Sequence, residues 1–200
     1  MYYDDKTYSA HLITAKSAEL PVTLEMTRAH LRNEELRFDD EYVRGLIWGA
    51  ADAVEKQYQL ALLTQTVVQY HRCFPCGSDT PLLLRIAPLI SVTSIGYIDS
   101  GGNSQVWDAS QYVTGRFNDT SFIVPKIGFS WPSDVAPNYP NAVTITHQAG
   151  FGANASFVPA NIRSALLLMI AKMYEKREDP TAALPQASEH LLRPYYRFSA

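Results

Sequence analysis

A chain of 200 residues, 46% hydrophobic and 18% charged, is long enough to bury a sizeable core and too apolar to be disordered. Its 17 basic and 20 acidic residues give a net charge of −3 with no run of Lys or Arg, so the footprint of a tight duplex binder is missing, while DNA passing beside the protein is permitted. The start Met1-Tyr2-Tyr3-Asp4-Asp5-Lys6 has no basic segment followed by an apolar one, and no stretch reaches the ~18 apolar residues of a membrane span; a soluble protein with no signal peptide and no membrane partner is expected.

Residues 1–20 read as a polar leader. Pro21-Val22-Thr23 then opens a helix with Thr23 as N-cap, Glu25 in the first turn and Leu24, Met26 and Leu31 as its apolar contributions, ending near Asn33. A second helix starts at Asp39-Asp40-Glu41, three acids at the positive end of a dipole, and carries Tyr42, Leu46, Ile47, Ala50, Val54 and Tyr58 on one stripe. Gly45, Gly49, Ala50, Ala51 and Ala53 admit a close neighbour, which is expected to be the C-terminal helix. The two helices make up residues 21–61.

Residues 62–150 change to a period of two, rich in β-branched and aromatic side chains from Thr64 to Gln148. Strands are predicted at 64–70, 82–86, 92–98, 105–107, 112–117, 122–125 and 142–147. Asp99-Ser100-Gly101-Gly102-Asn103 is a hairpin turn, and Trp131-Pro132 to Tyr139-Pro140 a proline-punctuated loop. The last long helix, within 157–179, has Pro159 at its first position, and Ile162, Ala165, Leu166, Met169, Ile170 and Met173 repeat at i, i+3, i+4 spacing. Leu167 and Leu168 widen the stripe, so two surfaces are expected against it; Lys176 and Arg177 suit its negative end and Pro180 stops it. Helices flank the strands without alternating with them, which argues for an α+β fold: a small antiparallel helical core, an inserted β-rich domain and an extended C-terminal tail over 180–200.

No catalytic, cofactor or metal site emerges, and the protein is not expected to be an enzyme. His71 with Cys73-Phe74-Pro75-Cys76 has metal-like or redox-like spacing, but no second ligand pair follows it, and Gly77-Ser78-Asp79-Thr80-Pro81 denies the helix that a thioredoxin motif opens. Gly150-Phe151-Gly152 lacks the rest of a dinucleotide fingerprint, and Ser100-Gly101-Gly102 the context of a nucleophile elbow. Asp39, Asp40 and Glu41, like Glu175, Glu178 and Asp179, sit at helix ends, where capping and solvation account for them. Trp107, Tyr112, Trp131 and Tyr139, without interleaved cations, read as core and loop aromatics.

The tail carries Leu191, Leu192, Arg193, Tyr195, Tyr196, Arg197 and Phe198 in its last ten residues, where a free terminus normally frays. Two readings stand: it folds back over its own helices, or it docks on a partner. Burying four such apolar side chains is worth ~6–12 kcal/mol gross, much of it offset by ordering the segment, so one tail binds weakly and a ring of tails gains avidity.

Several segments carry a family resemblance by their order and spacing: Pro21-Val22-Thr23-Leu24 with Ala29-His30-Leu31-Arg32, Ala61-Leu62-Leu63-Thr64-Gln65-Thr66, Pro88-Leu89-Ile90-Ser91-Val92-Thr93-Ser94-Ile95, Trp131-Pro132, Pro140-Asn141-Ala142-Val143, Ala149-Gly150-Phe151-Gly152, and Val158-Pro159-Ala160-Asn161-Ile162-Arg163-Ser164-Ala165 running to Glu178. From about Leu12 to Phe198 the chain resembles the head-tail connector, or head-completion adaptor, proteins of long-tailed bacteriophages and gene-transfer particles. The cysteine turn and the longer leader depart from that pattern.

The resemblance implies a ring of roughly twelve copies beneath the portal protein, with DNA passing through it and a stopper or tail-completion protein below. It also implies a place at the head-tail interface of the virion, reached from the host cytoplasm during assembly, with the tail residues above engaging the portal. The alternative reading is another virion interaction module, such as a tail-completion protein.

Overall fold

The computed structural model describes residues 10–32, 40–77, 80–117, 120–137, 139–176 and 185–196. The chain divides into two units: one formed by residues up to Lys16 with Gln65–Gly150, the other by Ser17–Thr64 with Phe151 onward.

Among the described residues the first unit holds eight strands: β1 (Ala10–Lys16), β2 (Gln65–His71), β3 (Leu82–Leu84), β4 (Leu89–Ile98), β5 (Ser104–Trp107), β6 (Tyr112–Phe117), β7 (Thr120–Pro125) and β8 (Val143–Ala149). Five pair antiparallel in the order β1-β2-β8-β4-β5 and three in the order β3-β7-β6. Alternation decides which face is inward: along β2 and β8 every second side chain is buried. Leu82 and Leu84 of β3, Ile123 of β7, Ile95 of β4 and Val143 and Ile145 of β8 meet in one core with Phe74, Trp107 and Trp131. The hairpin turn forms as its glycines suggest, with Gly102 at φ 83° and the Asp99 carboxylate accepting from the Asn103 backbone N–H at 2.8 Å.

A buried amide joins the two sheets in a way the pattern does not announce. Gln69, fully buried on β2, donates through Nε2 to the Leu83 carbonyl at 2.9 Å and accepts the Arg85 backbone N–H at 3.0 Å. Its side chain thus satisfies backbone groups on either side of the end of β3, as a strand would.

The polar leader requires correction. Residues 10–16 are an edge strand, held by antiparallel pairing to β2 with a bulge between Ile13 and Ala15. Every one of its residues is exposed, so it has no buried face and no period-two signature. Because β1 precedes α1 in the chain and joins the sheet of β2, the β region is not a simple insertion between helices.

The second unit holds α1 (Leu24–Leu31), α2 (Asp40–Tyr58), α3 (Ala160–Glu175) and α4 (Gln186–Leu192). Thr23 caps α1, its hydroxyl accepting from the Met26 N–H at 3.1 Å, and Arg32 in the left-handed region ends it. Asp40 opens α2 and forms an ion pair with Arg28, Arg28 Nε donating to Asp40 Oδ1 at 3.0 Å, so the acid ties α1 to α2 as well as suiting the dipole. Asp39 lies outside the described residues.

The α2 stripe buries Val43, Ile47, Ala50, Val54 and Tyr58, and the helix packs on α3. Gly49 is the point of approach, since a Cβ there would lie 3.5 Å from Met173 Cε. Buried Glu55 accepts the Leu62 backbone N–H at 2.9 Å and holds the chain leaving α2. Pro159 stands one position earlier than expected, at the N-cap of α3. Ile162, Ala165, Leu166, Met169 and Ile170 are buried, and α3 meets α1, α2 and α4, which is why its stripe is so wide.

The extended tail also requires correction. Residues 186–192 form α4, which packs on α3, and Arg193–Tyr195 continue it as a turn of 3-10 helix. At 7 residues α4 is too short to show helical periodicity, and a helix of that length holds only through tertiary contact.

Candidate docking surface

The predicted docking residues divide once the tail is seen to fold. Leu192 is fully buried and Leu191 half-buried, so Leu192 belongs to the core of its own unit and is withdrawn from any exposed docking face. Ser188, one turn earlier on the same side of α4, is also fully buried. The Tyr195 ring meets Phe151 edge-on at 6.2 Å, and the Tyr196 ring meets Tyr58 edge-on at 6.3 Å. Burial raises the Tyr58 hydroxyl pKa above its ordinary value, with the charge of Glu189 adding to it and Tyr196 after that, so the phenol stays neutral under the tail. Arg193 and Pro194 are exposed, and Tyr196 remains 58% exposed despite its contact. Arg197 and Phe198 lie outside the described residues.

What the tail offers is therefore a pinned helix whose last turn carries a cation and an amphipathic ring to the surface. That arrangement suits recognition, since an ordered Tyr and Arg lose little conformational freedom on binding, and both residue types are frequent anchors at interfaces.

The other residues singled out in the sequence take structural places. Among the described residues no group of three His, Cys, Asp or Glu side chains is placed to hold a metal ion. No disulfide joins Cys73 and Cys76, both exposed, and His71 lies 2.7 Å from the Gln69 amide, Nε2 to Nε2. Phe74 stacks on Trp131 at 5.3 Å, Trp107 meets Trp131 at 5.1 Å, and Trp107 Nε1 donates to Gln111 Oε1 at 2.7 Å. These rings are core, and Tyr139 is half exposed in its loop. An open cleft of about 450 Å³ beside them is lined by Cys73, Phe74, Pro75, Trp131, Pro132 and Val135, with no acid or base among these. Gly152 is needed for close approach, since a Cβ there would come within 2.3 Å of Phe157. Among the described residues no helix is long and apolar enough to cross a membrane.

No protein-family model and no curated protein matches the chain. Solved structures do. A chain in the virion of a native gene transfer agent particle superposes with a TM-score of 0.78 at 23% identity, over 95% of this chain and 96% of that one. A chain in the neck of an empty particle, computed with C6 symmetry, gives 0.77 at 22% identity over 96% and 97%. One in the neck of a native particle, computed with C12 symmetry, gives 0.65 at 22% identity over 94% and 97%. The protein therefore has, along nearly its whole length, the fold of chains that occur in gene-transfer-agent virions and necks.

Proposed function

We propose that the protein is a structural head-tail connector of a tailed phage or phage-like particle, a ring component that completes the DNA-filled head and offers a platform to a stopper or tail. The carrying observation is the reach of the fold match, which spans 94–96% of this chain and 96–97% of virion and neck chains. A ring of about twelve copies agrees with the C12 symmetry of one of those necks, and cyclic rings are built from one repeated contact. Net charge −3 suits a channel that lets DNA slide without holding it.

In this reading the portal is met by the end of the tail. Arg193 and Tyr196 make the contact, with Leu191 and Tyr195 supporting them and Leu192 anchoring the helix. The test is co-sedimentation of the purified protein with portal-bearing, DNA-filled heads that lack it. Saturation near twelve copies per head is expected, together with at least a tenfold weaker association for the Arg193→Ala, Tyr196→Ala double variant at unchanged circular dichroism. Absence of binding by heads that still accept other completion factors overturns the connector reading and favours a tail-completion role. Normal binding by the double variant overturns only the placement of the anchor.

A further inference from the structure

The turn that leaves β2 carries the chain's two cysteines, for which the connector reading has no use. Its middle residues, Phe74 and Pro75, are buried, Phe74 stacking on Trp131 at 5.3 Å. The residues that flank them, Cys73 and Cys76, are both exposed free thiols, and the chain bends at each. With the middle of the turn fixed in the core, both sulfurs belong to its outer side. Three peptide units span at most ~11 Å when extended, and bends at both ends shorten that span towards the ~4.4–6.8 Å between Cα atoms that a disulfide bridges.

The far end of the turn is held as well. Thr80 Oγ1 donates to the Cys76 carbonyl at 2.9 Å, and Gly77 takes φ 92°, a conformation open to glycine. Cys73 lines the open cleft that the turn shares with Ser130, Trp131 and Val135, so a small thiol reagent reaches it from solvent.

His71 is not a third member of the pair. Two backbone contacts fix the Gln69 amide, its Oε1 accepting from the Arg85 N–H at 3.0 Å and its Nε2 donating to the Leu83 carbonyl at 2.9 Å. The other amide hydrogen is therefore donated to His71 Nε2, 2.7 Å away, and occupies the lone pair there. Among the described residues no group of three His, Cys, Asp or Glu side chains could hold a metal ion. Two thiols without further ligands favour disulfide chemistry over metal binding.

We propose that Cys73 and Cys76 are a site of reversible oxidation, closing to an intramolecular disulfide with a small-molecule disulfide such as oxidised glutathione as the oxidant. One cysteine loses its proton and attacks a sulfur of the oxidant, whose S–S bond breaks; one reduced glutathione leaves and a mixed disulfide forms. The second cysteine, also as thiolate, attacks the protein sulfur of that mixed disulfide, forming the new S–S bond and releasing the second glutathione. The two electrons lost by the protein reduce the oxidant, and the two protons end on the departing thiols. Because the second cysteine stands in the same turn, its attack is intramolecular and outruns capture by another molecule. An exposed bridge is of the labile kind, reopened by excess reduced glutathione. The chemistry stands without the connector reading, and only its timing rests on that reading. In a reducing cytoplasm the pair stays as thiols during assembly, and it closes when the particle meets oxidising surroundings, fastening one wall of the cleft.

The first measurement is intact mass spectrometry of purified full-length protein after equilibration with oxidised glutathione and acid quenching. Wild type is expected to lose both thiols together, at a mass lower by two hydrogens and with no glutathione attached, and to regain them with dithiothreitol. Cys73→Ser and Cys76→Ser are each expected to carry one glutathione. Wild type that carries glutathione, keeps its thiols or links into dimers overturns the proposal. The second measurement traps the thiols of assembled particles with N-ethylmaleimide, at cell lysis and again after release. Thiols at lysis and a disulfide after release are expected; the same state at both points overturns the timing alone. Particles that never incorporate the protein overturn the connector reading instead, while the purified protein still decides the chemistry.

Discussion

Leu192 is the residue on which the tail turns. Its burial makes it part of the helical core, so Leu192→Ala is expected to destabilise the protein by about 2–4 kcal/mol in urea denaturation; a loss under about 1 kcal/mol contradicts the packing of α4 on α3. Gln69 carries a parallel role in the β unit, and Gln69→Leu, which strands the Arg85 N–H and the Leu83 carbonyl, is expected to cost about 2–3 kcal/mol. His147, fully buried on β8, has its pKa lowered from 6.5 to about 4 by burial, against the raising effect of the Ile145 backbone and with the charge of His11 adding to the lowering. Its neutral form is favoured in the folded state, and the unfolded chain binds the proton more readily. Stability is therefore intact above pH 6.5 and falls as pH drops towards 4, by about 3 kcal/mol from this residue. His11, whose pKa is lowered by partial desolvation of its ring and then by Arg85, acts in the same direction. Urea midpoints at pH 7 and pH 4.5 check this, and a His147→Phe variant is expected to have the flatter pH dependence.

Among the elements, α2 and α3 show what a sequence pattern reveals and what it leaves silent. The stripe from Ile162 to Ile170 was legible because it buries one side of a helix long enough to repeat it, whereas on α2 Ile47, Ala50, Val54 and Tyr58 are buried as expected but Tyr42 is exposed and Val43 takes the inward place. Gly49 was legible as a close approach, and the 3.5 Å clearance to Met173 leaves room for one methyl group. Gly49→Ala is thus expected to stabilise by about 0.5–1 kcal/mol through helix propensity, measured by thermal melting, and a loss of stability contradicts that clearance. Strands β2 to β8 were visible through alternation and turn chemistry. Strand β1 was not, since a strand exposed on both faces obeys no hydrophobic period, and α4 was hidden by its length and by the prolines around it. The tail residues proposed for docking stand out in the sequence as a cluster of aromatics, but which of them are buried and which exposed depends on the way a single short helix faces.

At the scale of the molecule, a chain of two units has the fold of virion and neck chains, and the function proposed for it is assembly. The aromatic cluster lies in the β core, and the exposed cysteine turn flanks its Phe74. The most direct measurement of the central claim is a focused electron-microscopy reconstruction of the neck of heads to which the purified protein has been added. The expected result is a ring of about twelve copies against the portal, each fitted by this fold, with Tyr196 turned to the portal. Density for the protein elsewhere in the particle, or a portal left bare at saturating protein, contradicts the account.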